Sequence, residues 1–134
     1  MRTMAAEQQS QVAQPLPVVV LVDDDPAVCS SLKFLLDLEG FAVRTYASAA
    51  ELLACGPVDD CDCFVIDQRM PEMSGIDLIA KLRQQNVLTP AILIISEPTP
   101  AVAARAAMAR VPMIEKPLLG NNLMEQIRAA CGRA

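Results

Sequence analysis

The chain has 134 residues, 53% hydrophobic and 20% charged, with a net charge of −5 and no histidine. This composition predicts one globular domain with an ordinary core. The acidic balance argues against a nucleic-acid surface, and no apolar run reaches the ~20 residues that cross a bilayer. Without histidine the chain holds no Ser-His-Asp or Cys-His centre, no His-ligated metal and no phosphohistidine. Residues 1–15 are Gln- and Ala-rich with no apolar core, so they read as a flexible tail rather than a signal peptide or anchor. Residues 16–134 read as the domain.

In chain order, Val18–Val22 is an all-apolar strand ending in Asp23-Asp24-Asp25. A helix follows from Pro26 to Leu38, with Asp25 as N-cap and Pro26 at its first position. Val28, Leu32, Leu35 and Leu36 form its predicted inward face, and Gly40 ends it. Ala42–Tyr46 is a second strand, and Arg44 within it predicts an edge, because central parallel strands are unbroken apolar runs. Ser48-Ala49-Ala50-Glu51 is a capping box opening a short helix through Leu53. Cys63–Ile66 is a buried strand with Asp67 at its carboxyl end. The helix after Gly75 turns Ile76, Leu78, Ile79 and Leu82 inward. Ala91–Ile95 is another unbroken apolar strand. Thr99 caps an Ala-rich helix to about Ala109, with Val102 and Met108 as its large apolar groups. Met113-Ile114 is a short strand with Pro112 marking an edge, and a last helix, Asn122 to Ala130, buries Leu123, Ile127 and Ala130. No internal repeat or second domain is visible.

Strand and helix alternate five times, the pattern of a (βα)5 α/β fold whose parallel sheet is covered on both faces. Placing the second and fifth strands at the edges predicts the order 2-1-3-4-5. Asp23, Asp24 and Asp67 then meet at the switch point between strands one and three, where open α/β sheets bind ligands. Three or four converging carboxylates repel one another unless a hard cation joins them, and Mg²⁺ suits such a cluster best. Three consecutive Asp residues after an apolar strand exceed what a helix cap requires. The five cysteines, an odd number without a signal peptide, predict reduced thiols and a cytoplasmic location. Cys61-Asp62-Cys63 has one spacer and no second pair, which argues against structural zinc. Cys63 reads instead as a small hydrophobe.

Three motifs in register now carry a family resemblance: Val22-Asp23-Asp24-Asp25, Asp67 with Met70-Pro71-Glu72-Met73-Ser74-Gly75, and Glu115-Lys116-Pro117. From Val18 to Cys131 the chain resembles the receiver domain of bacterial two-component response regulators, the CheY-like family, with wording closest to nitrogen-fixation regulators. The resemblance implies that Asp67 accepts a phosphoryl group as an aspartyl phosphate. It implies that Asp24 binds Mg²⁺ directly, that Asp23 helps through water, and that Asp67 and the backbone carbonyl of Arg69 complete the metal site. Lys116 would pair with the phosphate, and the Lys116–Pro117 bond is a candidate for cis geometry.

Two positions depart from the family. The Thr or Ser that ends strand four in receivers is Ile95 here. Ser96 follows and would reach a phosphate oxygen only after a local bulge, since it points to the opposite face. The aromatic residue three positions before the lysine is Met113. The loop after the fourth helix also lacks its usual Gly. The resemblance therefore implies a receiver phosphorylated by a sensor histidine kinase, and a phosphoacceptor rather than a turnover enzyme. With no helix-turn-helix after Cys131, output is expected through protein contacts, including a homodimer through the helix 4–strand 5–helix 5 face, whether the chain stands alone or was excised from a longer regulator. Ile95 and Met113 keep open a phosphorylation-independent interaction module on the same scaffold. A Mg²⁺-dependent phosphohydrolase is weaker, because no separate general acid accompanies Asp67.

Overall fold

The structure is a computed structural model that describes residues 16–55, 60–118 and 121–132. The tail expected at residues 1–15 lies outside them. The described residues form five strands and five helices in strict alternation: β1 (Val18–Val22), α1 (Pro26–Leu38), β2 (Ala42–Tyr46), α2 (Ala49–Ala54), β3 (Cys63–Asp67), α3 (Gly75–Gln84), β4 (Ala91–Ile95), α4 (Pro100–Met108), β5 (Met113–Glu115) and α5 (Asn122–Ala130). The sheet is parallel throughout, in the order β2-β1-β3-β4-β5. Arg44 and Pro112 therefore mark edges, as expected from the exclusion of charge and of a missing N–H from a central strand.

The period of two along each strand divides the core into two layers. Val20, Val22, Phe64, Ile66 and Leu93 point to one face and pack with Leu52 of α2 and Ile76, Leu78, Ile79 and Leu82 of α3. Val19, Leu21, Cys63, Val65, Ile92 and Ile94 point to the other and meet Leu36 of α1 and Leu123 and Ile127 of α5. Burying one such side chain stabilises the fold by about 1.5–3 kcal/mol. β1, β3 and β4 are buried along almost their whole length, which is why they read as continuous apolar runs.

Capping chemistry sets the helix starts. Asp25 accepts from the Ala27 N–H, Ser48 from Glu51, Ser74 from Asp77 and Thr99 from Val102. The Glu51 carboxylate returns to the Ala47 N–H at 3.0 Å, as a capping box requires. Where the chain leaves α4, Arg110 takes the left-handed conformation, φ 59°, that glycine ordinarily supplies there.

The predicted face of α1 needs correction. Only Leu36 of α1 is fully buried, whereas Leu35 is 49% exposed because it borders an open groove rather than the sheet. Of the large apolar groups of α4, Met108 is 87% exposed and Val102 half-buried, and Ala106 is the helix residue buried against the core. Ala130 is half-buried beside the second layer. Several ends also shift by one residue: α2 runs on to Ala54, β3 includes Asp67, β5 includes Glu115, and Ala109 caps α4.

Candidate functional site: an acidic pocket at the strand ends

β1 and β3 are hydrogen-bonded neighbours, with Val22 opposite Ile66, so the residues that follow each strand emerge side by side. Carboxylate oxygens of Asp23, Asp24 and Asp67 lie within 4.8 Å of one another. Asp23 and Asp67 are buried, at 7% and 5% exposure, and Asp24 faces solvent. Lys116, carried in on the loop after β5, lies with its Nζ 3.0 Å from Asp67 Oδ1 and 4.0 Å from Asp23 Oδ2. The Lys116–Pro117 peptide bond is cis.

The local backbone fixes these side chains. The Asp23 N–H donates to the Tyr46 carbonyl at 3.1 Å, and Asp23 Oδ1 accepts from the Asp25 N–H at 2.9 Å. The Cys29 thiol donates to the Asp23 carbonyl at 3.3 Å. Beside Asp67, the Gln68 N–H donates to the Ile94 carbonyl at 2.8 Å, and Gln68 Oε1 accepts from the Ile76 N–H at the start of α3 at 2.9 Å. The Arg69 backbone N–H draws the Asp67 carboxyl downward, against the effect of its burial. Sequence reasoning missed Gln68 and Cys29. Their side-chain contacts reach across six and eight residues, and neither residue type signals them.

Electrostatically the pocket is short of positive charge. Burial pushes the Asp67 carboxyl above its ordinary value, with Lys116 opposing. Burial likewise raises Asp23, opposed by the Asp25 N–H and reinforced by the charge of Asp67. For Lys116 burial acts downward, but its hydrogen bond to Asp67 and the charges of Asp67 and Asp23 outweigh it, so its value rises. Three carboxylates and one ammonium leave a formal charge of −2, which a hard divalent cation with oxygen ligands neutralises. The donor set therefore fits Mg²⁺: all oxygen, no sulfur or nitrogen.

The remaining predicted positions surround this pocket. Ile95 ends β4, is buried, and its carbonyl accepts the Lys116 N–H at 2.9 Å. Ser96 is exposed. Met113 is half-buried and opens β5 opposite Leu93. Away from the pocket Cys61 and Cys63 are buried, with burial pushing the Cys61 thiol up to about 11 and the Cys63 thiol further. This is the behaviour of packing groups rather than of reactive thiolates.

Comparisons with known proteins agree with this arrangement. The sequence model of the response regulator receiver domain matches residues 19–128. The chain is 35% identical over 122 residues to the transcriptional regulatory protein FixJ of Azorhizobium caulinodans, covering 90% of this chain and 57% of that protein. It is 34% identical over 114 residues to the response regulator protein TodT of Pseudomonas putida, covering 84% and 50%. It thus spans about half the length of the curated relatives it matches. Among solved structures, FixJ-N superposes with a TM-score of 0.77 at 34% identity, covering 90% of this chain and 98% of that one. A CheY-like receiver domain protein from Methanospirillum hungatei JF-1 superposes with a TM-score of 0.80 at 26% identity, covering 87% and 94%. With fold, acidic pocket and sequence in agreement, this chain belongs to the receiver domains of two-component response regulators.

Proposed function

We propose that Asp67 accepts a phosphoryl group from the phosphohistidine of a sensor histidine kinase and that this chain relays the signal through protein–protein contacts. The observation that carries the reading is the Asp67 carboxylate itself, buried at the end of β3, 3.0 Å from Lys116 and grouped with Asp23 and Asp24.

The step is a phosphoryl transfer. An Asp67 carboxylate oxygen bonds to phosphorus as the P–N bond of the phosphoimidazole breaks, and the imidazole leaves with the bonding pair and is protonated. Lys116 neutralises charge that develops on the phosphoryl oxygens, and the apolar walls of β1, β3 and β4 keep that interaction in a low-dielectric setting. Asp23, Asp24, Asp67 and the Arg69 carbonyl would hold Mg²⁺, which when bound supplies the rest of the charge neutralisation. Receivers are phosphoacceptors rather than turnover enzymes, and among the described residues the pocket shows no general acid separate from Lys116.

The donor has a place to sit. A groove of about 390 Å³ runs between α1 and the Lys116–Leu118 segment, lined by Ala27, Val28, Leu32, Leu35 and Pro117. Lys116, which touches Asp67, is among the lining residues, so a partner seated in the groove would lie beside the acceptor. A homodimer through the α4–β5–α5 face is part of the same proposal. Ser96, exposed beyond β4, would reach the phosphate only through a local bulge.

Incubation with acetyl phosphate and Mg²⁺, read by intact mass, tests the reading. A phosphoryl adduct of about 80 Da is expected on the wild type and is lost in Asp67→Asn. Equal labelling of both proteins would overturn the assignment. A second reading, an interaction module indifferent to phosphate, draws on the buried Ile95 and half-buried Met113. It predicts no labelling of either form. Steady release of phosphate from an ester would favour the phosphohydrolase instead.

A further inference from the structure

One ion pair bridges the two loops beside the pocket, and the acidic site makes no use of it. Arg69 Nη2 lies 3.1 Å from Glu97 Oε1. Arg69 is two residues beyond Asp67, and Glu97 is two residues beyond Ile95, so the pair ties the loop after β3 to the loop after β4. We infer that Arg69 is the phosphate-responsive side chain of this receiver: its guanidinium exchanges Glu97 for the aspartyl phosphate on Asp67. The inference rests on Asp67 being the phosphoacceptor.

Three observations carry it. First, the pair is held loosely. The two side chains are 81% and 80% exposed, where solvent screening leaves an ion pair little net strength. Second, Arg69 starts in the right place, two residues beyond the acceptor that closes β3. Phosphorylation turns one carboxylate into a group with nearly twice the charge and three acceptor oxygens. A planar guanidinium matches those oxygens bidentately and favours them over a lone solvated carboxylate. Third, the alternative reporter is missing. Ile95 is buried and has no hydroxyl to follow the phosphate, and Lys116 already lies against the acceptor before any phosphate arrives, so it need not move to meet it.

The exchange has a structural consequence. Glu97 loses its cation just as a dianion forms nearby, and like charges push it away. The freed segment leads directly into Thr99, the cap of α4, and α4 is tied to α3 by Arg105 and Asp77 at 2.9 Å. Phosphorylation would thus loosen the β4–α4 loop through lost charge pairing rather than through a hydroxyl drawn inward. Because linkage is reciprocal, removing Glu97 must strengthen binding of the phosphoryl group, and removing Arg69 must weaken it.

Beryllofluoride, titrated with Mg²⁺ onto the whole chain and read by fluorine NMR, tests the exchange. Arg69→Gln, which leaves the backbone carbonyl in place, is expected to weaken the adduct about tenfold. Arg69→Lys should recover part of that loss. Glu97→Gln, which frees the guanidinium, should tighten the adduct about threefold. In the double variant the Glu97 effect should vanish, since there is no longer an arginine to free. Affinities unchanged in both single variants, or a Glu97 effect that survives without Arg69, would overturn the exchange while leaving the phosphoacceptor intact. No adduct on the wild type would overturn the phosphoacceptor reading and this inference with it.

Discussion

Single residues fix this pocket, and Gly75 is the least conspicuous of them. A Cβ at that position would lie 2.5 Å from the Asp67 carbonyl oxygen and 2.8 Å from Leu93 Cδ1. The first of these is backbone and cannot rotate away, so α3 must shift or Asp67 must. Gly75→Ala should cost about 2–3 kcal/mol, seen as a lower urea midpoint, and should slow labelling of Asp67 by acetyl phosphate. Wild-type stability in that variant would mean that the β3–α3 approach is slack. The three carboxylates divide their labour differently. Asp23 is buried with a raised carboxyl, so its ionisation opposes folding. The stability it gives when protonated is complete below the ordinary carboxylate range and lost as pH rises through its raised value. In EDTA at neutral pH, Asp23→Asn should therefore melt above the wild type, because Asn keeps the oxygen that accepts the Asp25 N–H, and the gap should close as pH falls. Asp24, by contrast, faces solvent. As the proposed direct ligand, its loss in Asp24→Asn should weaken Mg²⁺ binding more than Asp23→Asn does. A titration giving the reverse order would exchange their roles.

At the level of elements, strand identity and order were legible in the sequence because burial on both faces leaves an unbroken apolar signature. The two edges were legible because Arg44 and Pro112 are physically excluded from the centre. Helix faces were less so. Periodicity alone placed Leu35 inward, yet whether a helix side chain meets the sheet or a groove depends on how α1 and α5 splay, which no local pattern records. The acidic pocket could be read from three strand-end motifs, whereas the Arg69–Glu97 bridge spans 28 residues and had no local signal. The same limit applies to α4 and β5, where Ile95 and Met113 stand in the switch positions. Ile95 is locked in the core, and Met is a flexible packing group that makes a poor two-state element. A ligand shifts an equilibrium only through contacts that differ between its states. A dimer through the α4–β5–α5 face should therefore form largely without phosphate, and Ile95→Thr should increase its dependence on phosphate. Sedimentation of both proteins with and without beryllofluoride measures this. A wild type that is monomeric until treated and then cleanly dimeric would show a stronger coupling than one hydroxyl supplies, and the Arg69–Glu97 exchange is the first place to look for it.

Across the whole molecule, apolar surface is distributed unevenly. Phe34, Leu35 and Leu38 of α1 are 63%, 49% and 68% exposed on a single helix of a chain with only three phenylalanines and no tryptophan. Isolated exposed leucines are ordinary, but three large apolar side chains on one helix beside a groove that Lys116 also lines are what the proposed docking of a protein donor would use. Leu35 lines that groove together with Leu32, Pro117 and Lys116. On the proposed reading, small phosphodonors need only the pocket, whereas a protein donor would also bury this wall before its phosphohistidine reached Asp67. The two requirements can be separated by one substitution at a position that contributes little to the core. Leu35→Lys places a charge on the groove wall, and a buried interface residue of this kind commonly costs tenfold or more in binding when lost. The variant should accept phosphate from acetyl phosphate at the wild-type rate. It should lose about tenfold or more in transfer from whichever kinase in a screened panel phosphorylates the wild type, and its thermal midpoint should stay close to the wild-type value. Equal losses with both donors would place Leu35 in the fold rather than in recognition. Equal rates with both would move the docking surface off α1 altogether.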